Sequence, residues 1–235
     1  VKAMIYNTNS KCNQNFSLEE WIMKILAING SPRKQGNTAT LLQKALEGAA
    51  SKGGETELIH LGGLQYRGCI SCFSCKRVNG KSYGKCSLED SLTPVLKKIE
   101  AADAIILGSP IYFGRQTSLI SSFMERLLFQ YLVYDSEYTS LLGKKMATGY
   151  IYTMNVTPER AENSGYLVPI KNNELFLSKV FGASETLMVY DTYQFDDYSK
   201  YVCTAFDEKH KAEVRRTQFP LDCEKAFAMG AKFMG

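Results

Sequence analysis

The feature that most constrains this chain is a repeated alternation of short apolar runs with helix-periodic segments. Lys24–Asn29 is an apolar run that ends at Gly30. Leu41, Leu42, Ala45, Leu46 and Ala49 then recur at helical spacing until Gly53-Gly54 stops them. Glu55–Leu61 reads as a second strand. Leu92, Val95, Leu96 and Ile99 mark a second helix, Asp103–Gly108 a third strand, and Leu119, Ile120, Phe123 and Leu127 a third helix. Lys145–Tyr152 reads as a fourth strand, with Gly149 inside it. Phe176, Leu177, Val180 and Phe181 mark a fourth helix, and Glu185–Asp191 a fifth strand. From about Phe206 the chain reads as helix, with a break or kink at Pro220. Uniformly apolar strands between amphipathic helices imply an α/β fold, its parallel sheet covered on both faces.

Composition narrows the function classes. The 235 residues carry no internal repeat or Pro-rich linker, so 23–235 is expected to be one domain, with a polar cysteine-bearing loop over 62–90. The charge of +4 is small and dispersed, and no run of five basic residues occurs. Nucleic acid is therefore not an expected partner. No stretch approaches the roughly 18 apolar residues of a membrane span, so no membrane partner is expected either. Seven cysteines without a secretory apolar core point to a reducing, cytoplasmic setting, where thiols or metal ligands are commoner than disulfides. Residues 1–22 are Asn-rich and fit no element. They read either as a leader ahead of a natural start at Met23 or as an arm that packs on the domain or a neighbour.

The segment joining strand one to helix one, Gly30-Ser31-Pro32-Arg33-Lys34-Gln35-Gly36-Asn37-Thr38, is rich in hydrogen-bond donors. Its backbone N–H groups and the positive end of the following helix suit a phosphate. Ser31, Asn37 and Thr38 add side-chain donors, and Arg33 or Lys34 offsets the dianion. The spacing is neither a P-loop, since Asn37 rather than Lys precedes Thr38, nor the G-x-G-x-x-G dinucleotide turn. A plain turn with Asn37 as N-cap is the bland alternative.

Three cysteines at two-residue intervals, Cys69, Cys72 and Cys75, can converge on one inorganic centre, with Cys86 as a fourth thiolate. Free thiols and zinc remain open beside a cluster. Cys12, Cys203 and Cys223 show no ligand spacing. His60 and His210 have no visible nucleophile partner, so no hydrolytic triad is expected.

Taken together, Lys24–Arg33 with Gly36-Asn37-Thr38, Gly108-Ser109-Pro110-Ile111-Tyr112-Phe113-Gly114, and Cys69-x-x-Cys72-x-x-Cys75 resemble the NADPH-dependent FMN reductase and iron–sulfur flavoprotein family. The resemblance spans about Met23–Phe129. It implies a flavodoxin-like, doubly wound sheet of five parallel strands in the order 2-1-3-4-5, with the ligand beyond the C-terminal strand ends. It also implies an FMN-dependent oxidoreductase that passes electrons from NAD(P)H through bound flavin to an acceptor. The alternative is an iron–sulfur flavoprotein or flavodoxin-type carrier relaying electrons between proteins, although purely electron-carrying flavodoxins tend to be acidic.

The implied FMN ligands are Ser31, Arg33, Gly36, Asn37 and Thr38 at the phosphate, and Pro110, Ile111, Tyr112, Phe113 and Gly114 at the ring. A third contact is expected at Thr153, Met154 and Asn155, where Met154 and Asn155 depart from the glycines of relatives. No protein residue is expected to be catalytic, because the flavin carries the chemistry. Arg115 and the basic residues near the phosphate loop are candidates for the phosphate of transient NAD(P)H. The resemblance further implies a [4Fe–4S] cluster on Cys69, Cys72, Cys75 and Cys86, with an unusually long last gap. It implies a homodimer or homotetramer too, with 157–173 and the C-terminal helix as candidate contacts.

Overall fold

Five of the six residues of β1 (Lys24–Asn29) are buried, a pattern that requires cover on both faces. The computed structural model describes residues 22–235; apart from Ile22, the leader-or-arm expectation for 1–22 lies outside the described residues. After β1 come α1 (Asn37–Ala50), β2 (Glu55–His60), α2 (Thr93–Ala101), β3 (Ala104–Tyr112), β4 (Arg115–Gln116) and α3 (Ser118–Tyr131). The second half contains β5 (Met146–Thr153), α4 (Pro158–Asn163), α5 (Leu167–Phe181), β6 (Gly182–Val189) and α6 (Glu208–Lys232). The long strands are parallel in the order β2-β1-β3-β5-β6, which is the expected 2-1-3-4-5 arrangement. The reversal of direction beside β1 and β3 creates a crevice at their C-terminal ends.

Successive residues of the central strands face opposite layers, as strand geometry demands. Leu26, Ile28, Ile105 and Leu107 pack with α2, α3 and α5. Ile25, Ala27, Ala104 and Ile106 pack with α1 and α6. In the second layer, helix backbones approach closely. A Cβ on Gly230 would lie 1.7 Å from the Ala45 carbonyl oxygen, and one on Gly48 would lie 1.9 Å from that of Phe227. Glycine at both positions brings α6 against α1, and with it the C-terminal third of the chain to the crevice.

Four elements differ from the sequence expectation. β3 does not stop at Gly108 but runs on to Tyr112 and turns back through β4 as a hairpin. α4 precedes the fourth expected helix and begins at a Thr157 N-cap followed by Pro158. The last strand ends at Val189, and Asp191 adopts a left-handed φ of 53° outside the sheet. α6 continues through Pro220 rather than ending there, because its packing on α1 outweighs one lost backbone donor. Among the described residues, no helix is long and apolar enough to cross a membrane.

Candidate functional site

Asn29, fully buried at the end of β1, shapes the loop that follows. Its Oδ1 accepts from Ser31 N at 2.9 Å, while its Nδ2 donates to Arg33 O at 3.3 Å and to His60 Nδ1 at 2.9 Å. Ser31 Oγ accepts from Arg33 N at 3.1 Å. The loop is also clamped to β3: Gly30 N donates to Gly108 O at 2.8 Å, and Thr117 Oγ1 donates to Gly30 O at 2.7 Å. Burial, aided by Lys34, lowers the pKa of His60, which favours the neutral ring that accepts from Asn29.

The N-terminus of α1 carries no side-chain cap and no acid in its first turn. Asn37 is not the cap. It is the first helical residue, and its side chain donates to Tyr193 O at 2.8 Å and accepts from Arg215 Nη1 at 3.0 Å. Gly36 has an extended φ of −177°, and a Cβ there would be in ordinary contact with Arg33 at 3.5 Å. Neither backbone nor packing therefore demands glycine. Its absence of a side chain leaves the first-turn N–H groups open to the cleft, which fits an anion.

Thr38 Oγ1 lies 2.8 Å from Thr153 Oγ1, and both residues are buried. Beside them the β3–β4 hairpin turns through Phe113 (φ 50°) and Gly114 (φ 77°). A non-glycine residue at positive φ is strained. Here the strain presents Tyr112 and the fully exposed Phe113 outward, where aromatics packed inward would have argued for a plain strand end. Ser109 Oγ accepts from Thr117 N at 3.0 Å and donates to Pro110 O at 2.8 Å, fixing the base of the hairpin.

Ser31, Arg33, Gly36, Asn37, Thr38, Pro110, Ile111, Tyr112, Phe113, Thr153, Met154 and Asn155 all line one open cleft of about 1080 Å³. Gly114 is the sole expected ring contact outside that lining; it packs toward Tyr166. Met154 is 3% exposed and paired through its backbone to Val189 and Thr192, so its thioether is chiefly core. Asn155 donates to Gln194 Oε1 at 2.9 Å, and its buried Oδ1 has no partner among the described residues. Arg115 does not reach the cleft. It lines a second recess that shares Tyr112 and Phe113.

Sequence reasoning missed the far wall, made of Thr192, Tyr193, Gln194, Phe195, Phe206 and Arg215. No motif marks these residues. The aromatic richness of 193–206 was the one available signal. Behind this wall, Lys211, 1% exposed, donates to Asp191 Oδ1 and to Asn155 O, while His210 Nε2 lies 2.6 Å from Asp191 Oδ2.

A second locus gathers the cysteines on α3. Cys69 N donates to Glu125 Oε2 at 3.1 Å, and Cys86 N donates to Gln130 Oε1 at 3.0 Å. The buried Arg126 donates from Nε to Cys86 Sγ at 3.3 Å, from Nη2 to Leu88 O at 3.0 Å and from Nη1 to Asp90. Ser71 and Phe73, between the cysteines, both hold left-handed φ, 54° and 56°. The Ser74 backbone N–H, followed by the Ser87 and Ser74 hydroxyls, brings the Cys72 thiol down to about 7, whereas burial pushes Cys75 up. Cys69, Cys72, Cys75 and Cys86 line one cavity of about 20 Å³, space for about one water. Among the described residues, no three His, Cys, Asp or Glu side chains form a metal-holding group. The four cysteines expected to act together thus line one cavity without forming such a group. Across the long 76–85 segment Cys86 returns to the same cavity, where Gln130 and Arg126 of α3 hold it.

Residues 23–155 match the family model described as NADPH-dependent FMN reductase. An iron–sulfur flavoprotein of Methanocaldococcus jannaschii is 43% identical over 104 residues, 44% of this chain and 51% of that protein. One from Archaeoglobus fulgidus is 40% identical over 104 residues, 44% of this chain and 48% of that protein. The chain thus spans about half the length of the curated relatives it matches. Among solved structures, an NAD(P)H:quinone oxidoreductase from Methanothermobacter marburgensis superposes with a TM-score of 0.66 at 14% identity, covering 91% of this chain and 98% of that one. An azoreductase from Bacillus anthracis superposes at 0.62 and 14% identity, covering 90% and 100%. At such identities these two establish a shared flavodoxin-like fold.

Proposed function

For a chain that belongs to the NADPH-dependent FMN reductase family, we propose an FMN-dependent oxidoreductase that draws electrons from NAD(P)H and delivers them to a small-molecule or protein acceptor. The observation that carries this reading is the single cleft at the C-terminal strand ends. It joins an uncapped helix N-terminus flanked by Ser31, Arg33, Asn37 and Thr38 to the outward aromatics of the β3–β4 hairpin. A monophosphate suits the first end and a flat ring the second. No G-x-G-x-x-G turn provides for a second nucleotide half, which favours FMN over FAD.

When bound, FMN supplies the hydride and electron transfer. The protein's part is placement. Ser31, Thr38 and the first-turn N–H groups hold the phosphate. Pro110, Ile111 and Tyr112 border the ring. Thr153 fastens the phosphate end to β5 through Thr38. Met154, buried and held by its backbone to Val189, would close the floor of the cleft. The open side of the cleft would give a nicotinamide access to bound flavin. We assign this work to the single domain over 23–235. Flavin extracted from purified protein should be FMN, and NAD(P)H oxidation should depend on it when quinone, azo dye or free flavin is supplied. Recovery of FAD alone, or no flavin uptake by apoprotein, would overturn the reading.

A second reading, an iron–sulfur flavoprotein, is favoured by one observation: the four cysteines share a cavity, and two of them, Cys69 and Cys86, receive N–H donors from Ser71 and Arg126, the kind of hydrogen bonding that thiolate-ligated clusters use. The names of the relatives agree with it. Iron and acid-labile sulfide analysis of anaerobically isolated protein tests this reading.

A further inference from the structure

The phosphate end of the cleft contains a basic side chain from outside every matched motif. Arg215 sits on α6, sixty residues beyond the end of the matched region at 155 (215 − 155 = 60). Its guanidinium lies 4.0 Å from the centre of the Phe219 ring, and Nη1 donates to Asn37 Oδ1 at 3.0 Å. Phe219 is itself part of the α1–α6 core. The guanidinium is thus stacked on a fixed ring and tied to the first residue of α1. The next arginine, Arg216, is occupied by Glu213 at 2.7 Å. Arg215 has no ion pair among the described residues.

We propose that Arg215 is a ligand of the FMN 5′-phosphate, completing from the C-terminal helix a site that the β1–α1 loop begins. This rests on the flavin reading above. An arginine has five N–H donors in a rigid fork, and Asn37 accounts for one of those of Arg215. Arg215 lines the same cleft as Arg33, and Asp196 is the one acid among the lining residues. Of the loop's two cations only Arg33 lines the cleft, and its Nη1 already donates to Gln194 O at 2.8 Å; one guanidinium offsets about half the charge of a phosphate dianion. A second guanidinium offsets the remainder, and charge-assisted N–H···O bonds are the strong class. The close α1–α6 contact at Gly48 and Gly230 holds the helix that carries Arg215 beside the loop. Arg215 is therefore a binding residue supplied by helix packing rather than by the loop motif.

The test compares FMN with riboflavin, which has the same ring and ribityl chain but no phosphate. Full-length apoprotein, as wild type, Arg215→Met and Arg215→Lys, is titrated with each flavin by fluorescence quenching. Arg215→Met should raise the Kd for FMN about tenfold, on the order expected for a lost charge-assisted bond, and change that for riboflavin less than twofold. Arg215→Lys should recover part of the FMN preference. An unchanged FMN Kd in Arg215→Met would overturn the proposal. So would equal losses for FMN and riboflavin, which would mean that Arg215 only supports the wall. Should Arg215→Met melt below the assay temperature, the ratio of FMN to riboflavin affinity in Arg215→Gln, which keeps a polar stem but no charge, decides, and a wild-type ratio there overturns the proposal. Wild-type protein that itself fails to distinguish FMN from riboflavin would sink the phosphate-loop reading, and this inference with it. Tight wild-type FMN binding with an unaffected variant removes Arg215 alone.

Discussion

Thr38 and Thr153, 115 residues apart in sequence, meet hydroxyl to hydroxyl at 2.8 Å. One opens α1 and the other ends β5, so this buried contact joins the two sides of the cleft. Thr38→Val removes a donor from the phosphate end and leaves Thr153 unpaired. FMN binding should weaken by about 1–3 kcal/mol, read by fluorescence titration of the apoprotein. Thr153→Val should cost less, since it removes the partner rather than the phosphate donor. Equal binding by wild type and Thr38→Val would show that the phosphate lies elsewhere.

His60 makes the loop scaffold sensitive to acid. Its pKa is lowered in the folded chain, first by burial and then by Lys34, so the unfolded chain binds more protons near the ordinary value of 6.5. Its contribution is fully present above that value and is lost as pH falls through the lower folded value. Protonation also turns Nδ1 into a donor facing the Asn29 amide. The melting temperature should therefore fall between pH 7 and pH 5 more steeply in wild type than in His60→Gln, which has no titratable ring. Parallel curves would remove His60 from this role.

Gly230→Ala drives a Cβ to 1.7 Å from the Ala45 carbonyl oxygen, and backbone cannot yield as a flexible side chain does. The substitution should destabilise the protein by roughly 1–3 kcal/mol, as overpacking does, in chemical denaturation. Because α6 carries Arg215, FMN affinity should fall as well, with riboflavin affinity falling less. A variant as stable as wild type would mean that α1 and α6 pack less closely than described.

Lys211 is 1% exposed and held by Asp191 and Asn155. Lys211→Met leaves the Asp191 carboxylate with His210 alone. Breaking a buried pair from one side should cost about 3–5 kcal/mol. The double variant Asp191→Asn with Lys211→Met should recover a large part of this, since no uncompensated charge remains. Losses that simply add would show the two residues to be independent.

Cys86→Ala separates the two loci. The flavin cleft and the cysteine cavity share no lining residue, so FMN content should stay at the wild-type level. Any iron and acid-labile sulfide in anaerobic wild-type protein should fall sharply in the variant, because the fourth thiolate is lost. Iron retained in full by Cys86→Ala would remove Cys86 from the ligand set.

The sequence by itself determined the sheet, its order of layers and one end of the cleft. Strand and helix periods are local properties, and so are the donors of Ser31–Thr38, which lie on one short loop. The resemblance carried by three short motifs implied ring contacts at Pro110–Gly114, of which Pro110–Phe113 line the cleft. What the tertiary structure decided lies at long sequence separation. The Asn37 side chain, legible as a cap, turned instead to Tyr193 and Arg215, because α6 packs where two glycines let it approach. The β3–β4 hairpin held the exposed Phe113 at positive φ, which local propensity disfavours and the pairing of Ile111 and Tyr112 with Gln116 and Arg115 fixes. The cysteine spacing showed that Cys69, Cys72 and Cys75 lie near one another, while α3 fixed where Cys86 sits, through Arg126 and Gln130. Periodicity and turn chemistry act over a few residues, so they are written in the sequence. A side chain's partner is chosen by which helices and strands pack together, and that choice exists only in the folded chain.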